Sequence, residues 1–229
     1  MAVSAGWTLA LDTATPATVA AAIAPGPDGA TAARHEPPPA GQRPAHTARL
    51  LALADEVLAE TGGGLDRLGR IVVGLGPGTF TGIRVGVATA RSLALATGTP
   101  LVGLPTPVAL VAAAADLAGE GPVLAVQDAR RRELFLTLGD GAPFVVPVAD
   151  LAAALAALPE RPAVAVGDGA PVHRAALEAA GIAVPDDPRR HAVDGLALAR
   201  AGAAIAVTAP ADVRPVYVRG ADAIPTSRR

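Results

Sequence analysis

Cysteine is absent from the 229 residues, which excludes disulfides, thiolate metal sites and a cysteine nucleophile. Lysine is absent as well. All 19 basic residues are arginines, and with alanine abundant this reads as the codon usage of a GC-rich genome. No charge of one sign dominates: 19 basic against 21 acidic residues leave a net charge of −2, so no global basic field marks a nucleic-acid binder. No apolar run reaches membrane length, since Asp116 interrupts the stretch Leu110 to Ala115, and Met1 to Trp7 lacks the basic segment and apolar core of a signal peptide. The expectation is a soluble, cytoplasmic chain with no membrane contact. What the chain does have is apolar residues, 51% of the total, and enough length to bury roughly 70% of its unfolded surface as one domain or as two halves.

The chain is organised around Arg70 to Gly98. Ile71, Val72, Val73 and Leu75 read as a buried strand, Gly76-Pro77-Gly78-Thr79-Phe80-Thr81-Gly82 as a loop, and the apolar run that follows as a helix. Thr79 or Thr81 is placed to cap that helix. The loop lacks the Gly-Lys-Ser/Thr of a P-loop and the spacing of a Rossmann fingerprint. Two readings stay open: a tight turn that seats the helix on its strand, or N–H groups that receive an anion or a partner. Along the helix, Gly82, Gly86, Ala90, Ala94 and Gly98 recur every fourth position as a stripe of small residues, with Arg84 and Arg91 on one narrow face. A helix this apolar is buried on more than one side, by its own sheet and by a second helix from this chain or another.

The rest of the chain falls into a repeat. Trp7 to Leu11 and Thr18 to Ile23 read as a hairpin with Asp12, Thr13 and Thr15 at its bend, followed by a weak edge strand near Ala32 to Glu36 and a helix His46 to Glu60. Leu101 to Leu104 is a strand, and Thr106 caps a helix running to about Ala118. Val123 to Val126 and Glu133 to Leu138 form a second hairpin, with Asp128 at its bend. Ala163 to Val166, Gly167-Asp168-Gly169 and a helix from Pro171 to Ala180 repeat the central strand, loop and helix. Val193 to Val207 is a last amphipathic helix and Pro215 to Arg219 an extended tail. The expected class is α/β, with two similar halves facing a cleft in the manner of actin, sugar kinases and Hsp70. The lobes are expected at residues 1–104 and 105–229, the last helix and tail packing back on the first.

Candidate chemistry is sparse. Asp12 and Thr13, with Asp128 from the second hairpin, are placed either to hold hydrated Mg²⁺ and a phosphate or simply to close their turns. A phosphotransferase would also need a lysine or a second carboxylate on the transferred phosphate. Asp128-Ala-Arg130-Arg131-Arg132-Glu133 is a charge cluster that either meets RNA phosphate or is solvated.

Leu9-Ala-Leu-Asp12-Thr13, His46-Thr-Ala-Arg49, Gly76-Pro-Gly-Thr-Phe-Thr-Gly82-Ile-Arg84, Asp128-Ala-Arg130 and Pro215-Val-Tyr-Val-Arg219 resemble, in order and spacing, the TsaB (YeaZ) family over essentially the whole chain. The resemblance implies an actin-like (ASKHA) fold of two ribonuclease-H-like lobes with mixed sheets flanked by helices. It implies a non-catalytic, activating subunit paired with the paralogue TsaD and aided by the ATPase TsaE, in a complex that attaches threonylcarbamoyl to N6 of the adenosine beside the anticodon of tRNAs reading ANN codons. Contact with tRNA would run through the complex. It implies an interface on the first two helices, against TsaD or a second copy of the chain, which here would use His46, Leu50, Leu53, Gly82, Ile83, Gly86, Val87, Ala90, Arg91 and Ala94. TsaD carries a His-x-x-x-His pair on its first helix. Here His46 is followed at that spacing by Leu50, so no catalytic metal is expected. No cofactor is expected to be required of this chain, and ATP or ADP and Mg²⁺ stay open at the level of the complex. The alternatives are a small actin-like ATP-dependent phosphotransferase, which would hydrolyse ATP alone, and a metallopeptidase, which the missing histidine disfavours.

Overall fold

The computed structural model describes residues 6–218. Two sheets share one plan. In the first, β1 (Trp7–Asp12) pairs antiparallel with β2 (Thr18–Ile23), and β2 with β3 (Thr31–Glu36). On its other edge β1 runs parallel to β4 (Leu68–Gly74), and β4 to β5 (Leu101–Leu104), giving the order β3-β2-β1-β4-β5. In the second, β6 (Val123–Arg130), β7 (Glu133–Leu138), β8 (Phe144–Pro147) and β9 (Val164–Val166) lie in the order β8-β7-β6-β9, the same path with the fifth strand reduced to a parallel bridge between Val164 and Ala183. The repeat read from the two hairpins is thus a repeat of topology. β1 and β4 are almost wholly buried, as central strands covered on both faces must be, and this explains their unbroken aliphatic sequence.

The helices make the layers. α1 (His46–Glu60) and α2 (Phe80–Thr97) cover the outer face of the first sheet, where Leu50, Leu53, Val57, Ile83, Val87 and Ala90 meet Leu9, Leu11, Ile71 and Val73. The opposite face, with Ala10, Val19 and Val72, packs on α3 (Pro107–Ala113) and α6 (Gly195–Ala203), and the same cluster includes Val123, Ala125, Val164 and Val166 of the second sheet. α4 (Leu151–Ala156) and α5 (Arg174–Ala179) close the far side over Leu124, Val126, Leu134 and Leu136. This is the mixed-sheet, helix-flanked, two-lobed α/β arrangement expected from the sequence. α6, from the end of the chain, lies on the first sheet, where buried Arg70 of β4 donates through Nη1 to the carbonyls of Gly202 (3.0 Å) and Ile205 (2.8 Å). The tail follows it, with Val216 N–H donating to Leu75 O at 2.8 Å.

Several boundaries differ from the sequence reading. α3 stops at Ala113, with a 3₁₀ turn over Ala115–Leu117 replacing its expected last turn, and Thr106 does not cap it because its hydroxyl is used elsewhere. α5 begins at Arg174, three residues past Pro171. α6 begins after Asp194, whose carboxylate accepts from Leu196 and Ala197 N–H, and ends where Arg70 takes its carbonyls, short of Val207. β8 and α4 have no counterpart in the sequence reading, since Phe144–Pro147 is too short and Leu151–Ala156 too uniform in alanine and leucine to show a period. Arg219 of the expected tail, like Arg228 and Arg229, lies outside the described residues.

Candidate functional site

The first hairpin bend and the glycine loop are tied to each other. Asp12 is fully buried; its Oδ1 accepts from Ala14 N–H (2.8 Å) and its Oδ2 from the Thr106 hydroxyl (2.6 Å). Burial pushes its pKa up to about 6, against the lowering effect of those two hydrogen bonds. Thr106 Oγ1 in turn accepts from Gly76 N–H at 3.1 Å, and Thr106 N–H donates to Gly76 O at 2.8 Å. Thr79 N–H donates to Ala14 O (2.9 Å), and Thr79 Oγ1 caps α2 by accepting from Gly82 N–H (3.2 Å). Pro77, joined to Gly76 by a cis peptide, offers its carbonyl to Gln127 Nε2 of the second lobe at 3.4 Å. Of the two readings left open, this geometry favours the tight turn: the N–H groups of Gly76, Thr79 and Gly82 already have acceptors within the chain. Gly78 is half-buried, and Phe80 and Thr81 are exposed.

The small stripe of α2 serves the same bend. Thr13 Oγ1 donates to Gly82 O at 2.7 Å, and a methyl at Gly86 would lie 2.5 Å from that oxygen. His46, Leu50, Leu53, Gly82, Ile83, Gly86, Val87, Ala90 and Ala94, the residues expected at a subunit interface, are buried within this chain. The reason is steric: glycines at 82 and 86 bring the helix axis close to the hairpin, and the stripe is consumed by that approach. Of the expected interface set only Arg91 is half-exposed. His46 Nδ1 lies 2.9 Å from Thr18 Oγ1, and burial lowers its pKa. Among the described residues no three His, Asp or Glu come together in a metal-binding set.

The outward faces carry a different signal. Leu95 is 71% exposed, Phe80 55% and Leu51 50%, with Ala88 and Ser92 between the first two on the same side of α2. Glu56, Glu60 and Arg49 hold the other flank of α1 to Arg34 and Glu36 of β3, so Leu51 lies on the side of α1 turned towards α2. At the start of α2 the Arg84 guanidinium sits 3.7 Å over the Phe80 ring and donates from Nε to Tyr217 Oη (3.0 Å), while Phe80 and Tyr217 stack at 5.6 Å. Thr106, Gln127 and this cluster escaped the sequence reading of sites, although Arg84 and Tyr217 stand inside the two motif strings and were the available clue.

In the second lobe Asp128 accepts from Arg130 N–H (2.7 Å) and pairs with Arg130 Nη1 (3.0 Å). Asp168 accepts Asp128 N–H at 3.0 Å, and burial raises its pKa, helped by the Asp128 charge. These groups line a cavity of about 910 Å³ that Pro16 of the first bend reaches from the other lobe. Asp12 and Thr13 do not line it, so the three residues considered for a nucleotide are not brought to one open site.

A family model described as "TsaD: tRNA N6-adenosine threonylcarbamoyltransferase" matches residues 38–169, more than half of the chain. The tRNA threonylcarbamoyladenosine biosynthesis protein TsaB of Haemophilus influenzae is 38% identical over 92 residues, 40% of this chain and 39% of the relative. The protein of that name from Escherichia coli K12 is 35% identical over 127 residues, 56% and 52%. The chain thus spans about half or less of these curated relatives. An uncharacterized protein of Mycobacterium tuberculosis H37Rv is 35% identical over 226 residues, covering 95% of this chain and 93% of the relative. A crystal structure of a Pseudomonas aeruginosa protein "with similarity to peptidase YEAZ" superposes with a TM-score of 0.72 at 27% identity, covering 93% of this chain and all of that one. The ethanolamine utilization protein EutJ of Carboxydothermus hydrogenoformans, at 14% identity and a TM-score of 0.51 over 84% of this chain and 89% of its own, is similar in fold alone.

Proposed function

The chain belongs to the TsaD family, in its TsaB (YeaZ) branch, and from that premise we propose that it is a non-catalytic activating subunit in tRNA N6-threonylcarbamoyladenosine formation, working in the cytoplasm. TsaD is the proposed partner, with TsaE as the ATPase and tRNA reached through the complex. The observation that carries this reading is the contrast between the two sides of α1 and α2. Their inward sides are used up by the chain's own core, while Leu51, Phe80 and Leu95 face solvent in a chain with only five aromatic residues. Large exposed apolar side chains along two adjacent helices, with an aromatic and an arginine at one end, have the composition of a subunit interface. The phosphotransferase alternative draws little from the structure, because the Asp12 carboxylate is shut beneath Thr106 and already bonded through both oxygens.

The test is light scattering after gel filtration of the purified chain, alone and mixed with TsaD of the same organism, with ATP turnover followed in each fraction. A stoichiometric complex, with turnover absent from this chain alone, supports the proposal. Failure to associate, together with ATP hydrolysis by the isolated chain, would overturn it in favour of the phosphotransferase.

A further inference from the structure

Alternation along β6 sends Leu124 and Val126 into the core under α4 and α5, and turns Val123, Ala125 and Gln127 to the opposite face, which packs towards the first lobe. On β7, Leu134 and Leu136 belong to the same far core, so Phe135 and Thr137 share the face of Gln127. Gln127 and Thr137 are both buried, at 3% and 4% exposure. Ala125 pairs with Thr137 and Gln127 with Phe135, which makes Gln127 and Thr137 diagonal neighbours across the antiparallel pair, about 7–8 Å apart and within reach of a long side chain.

This pair is incompletely bonded. Gln127 Nε2 donates to Pro77 O of the first lobe at 3.4 Å. A carbonyl only accepts, so the amide has to turn its NH₂ towards the loop and its oxygen away from it. Among the described residues neither Gln127 Oε1 nor Thr137 Oγ1 has a hydrogen-bond partner. A buried polar atom left unpaired is costly, and two on one face, the first accepting and the second able to donate or accept, meet the minimum that an internal water needs. Both groups are neutral, and among the described residues no three His, Asp or Glu gather, so nothing there favours a metal ion over water. We propose that one buried water bridges Gln127 Oε1 and Thr137 Oγ1, and that Thr137 is thereby a positioning residue. Through the water it holds the Gln127 amide in the orientation that ties the Pro77 carbonyl, and with it the loop before α2, to the second lobe. The site is independent of the scaffold role proposed above.

The experiment combines a crystal structure of the full chain, at a resolution that shows ordered water, with thermal melts and amide exchange on variants. The structure is expected to show one water within about 2.5–3.0 Å of both atoms. Thr137→Val strands the water and the amide oxygen with one partner fewer, and is expected to melt roughly 2–6 °C lower. Its exchange is expected to rise several-fold at Gly78 and Thr79, although the Thr137 hydroxyl makes no hydrogen bond to that loop. Thr137→Ser, which keeps the hydroxyl, is expected to retain the parent's protection there. Thr137→Val/Gln127→Met removes both partners and is expected to melt within about 2 °C of the lower single variant, short of the summed losses. A Thr137→Val protein melting at or above the parent would show an idle hydroxyl and overturn the proposal. Additive losses, unchanged exchange at the loop in Thr137→Val, or a serine variant that behaves as the valine one would do the same. So would density for a direct bond between Thr137 and Gln127 with no water, or a melting temperature that changes when choline replaces sodium at constant chloride, which would mark a cation.

Discussion

Replacing Gly86 by alanine separates two uses of the small stripe on α2. In a free helix the change is favourable by about 1 kcal/mol, since alanine has the higher helix propensity. Here the new methyl falls 2.5 Å from Thr13 Oγ1, the atom that donates to Gly82 O at 2.7 Å. Displacing Thr13 costs a buried hydrogen bond, about 1–2 kcal/mol, and crowding a closed contact costs about 1–3 kcal/mol more. The net expectation is a loss of about 2 kcal/mol, or roughly 4–8 °C in melting temperature for a chain of this size. The companion variant is Leu95→Asp, on the opposite face at 71% exposure. It should leave folding stability within about 0.5 kcal/mol while weakening association with TsaD at least tenfold. Urea denaturation reads the first quantity and gel filtration with light scattering the second. A Gly86→Ala protein as stable as the parent but unable to associate would refute the assignment and return the stripe to the interface.

Asp12→Asn tests the buried carboxylate. Its folded pKa of about 6 lies above the unfolded value of 3.8, so the protonated form favours folding, and that contribution is present below about pH 4 and lost as pH rises through 6. Two units correspond to about 3 kcal/mol, so the asparagine variant should gain on the parent by that order between pH 4 and 7; parallel stability curves would contradict the burial argument. Arg70→Met removes both bonds to the end of α6 and should cost about 2–3 kcal/mol, with amide exchange rising first in residues 195–203; protection unchanged there would show that α6 docks without the arginine. Thr106→Val takes a donor from Asp12 and an acceptor from Gly76, and should cost about 2 kcal/mol at pH 7 by denaturant titration. A loss under about 0.5 kcal/mol would show that the loop is held by its backbone contacts alone.

The sequence was most legible where one local rule dominated. The α1 helix follows its 3.6-residue period and ends where expected, at His46 and Glu60, and β1, β2 and β4 announce themselves by aliphatic runs between turn residues. The sites were read less well because their residues answer to long-range contacts. Thr106 before Pro107 looks like a helix cap, yet its hydroxyl is claimed by Asp12, 94 positions earlier. The stripe from Gly82 to Ala94 was read as a path for another helix, whereas at Gly82 and Gly86 the chain's own hairpin bend approaches, and the sequence pattern is the same for either. Burial decides between them, and no periodicity in one sequence reports it. The converse face, with Leu51, Phe80 and Leu95, was hidden because isolated exposed apolar residues carry no signal until the fold turns them to solvent on adjacent helices.

These contacts together suggest how an architecture with two hairpin bends at a cleft suits a supporting role. Asp12, Thr13 and Ala14 bond respectively to Thr106, Gly82 and Thr79, so the bend engages α3's leading residue, the first turn of α2 and the loop before it. The bonds of Thr13 and Ala14 fix the start of α2 relative to the sheet, that of Asp12 fixes the residue before α3, and Arg84 and Tyr217 add a clasp from the tail. The cost of such fixing is access: the Asp12 carboxylate accepts through both oxygens and is closed to solvent. The gain falls on the other side of the helix. A helix that cannot shift presents Phe80, Ala88 and Leu95 in one geometry, and a surface ordered before association loses less freedom on binding. On this view, closing the first bend and building the proposed interface are one structural change seen from two sides of α2. A variant that loosens the bend without touching the outer face, as Thr106→Val does, should therefore slow or weaken association as well as lower stability.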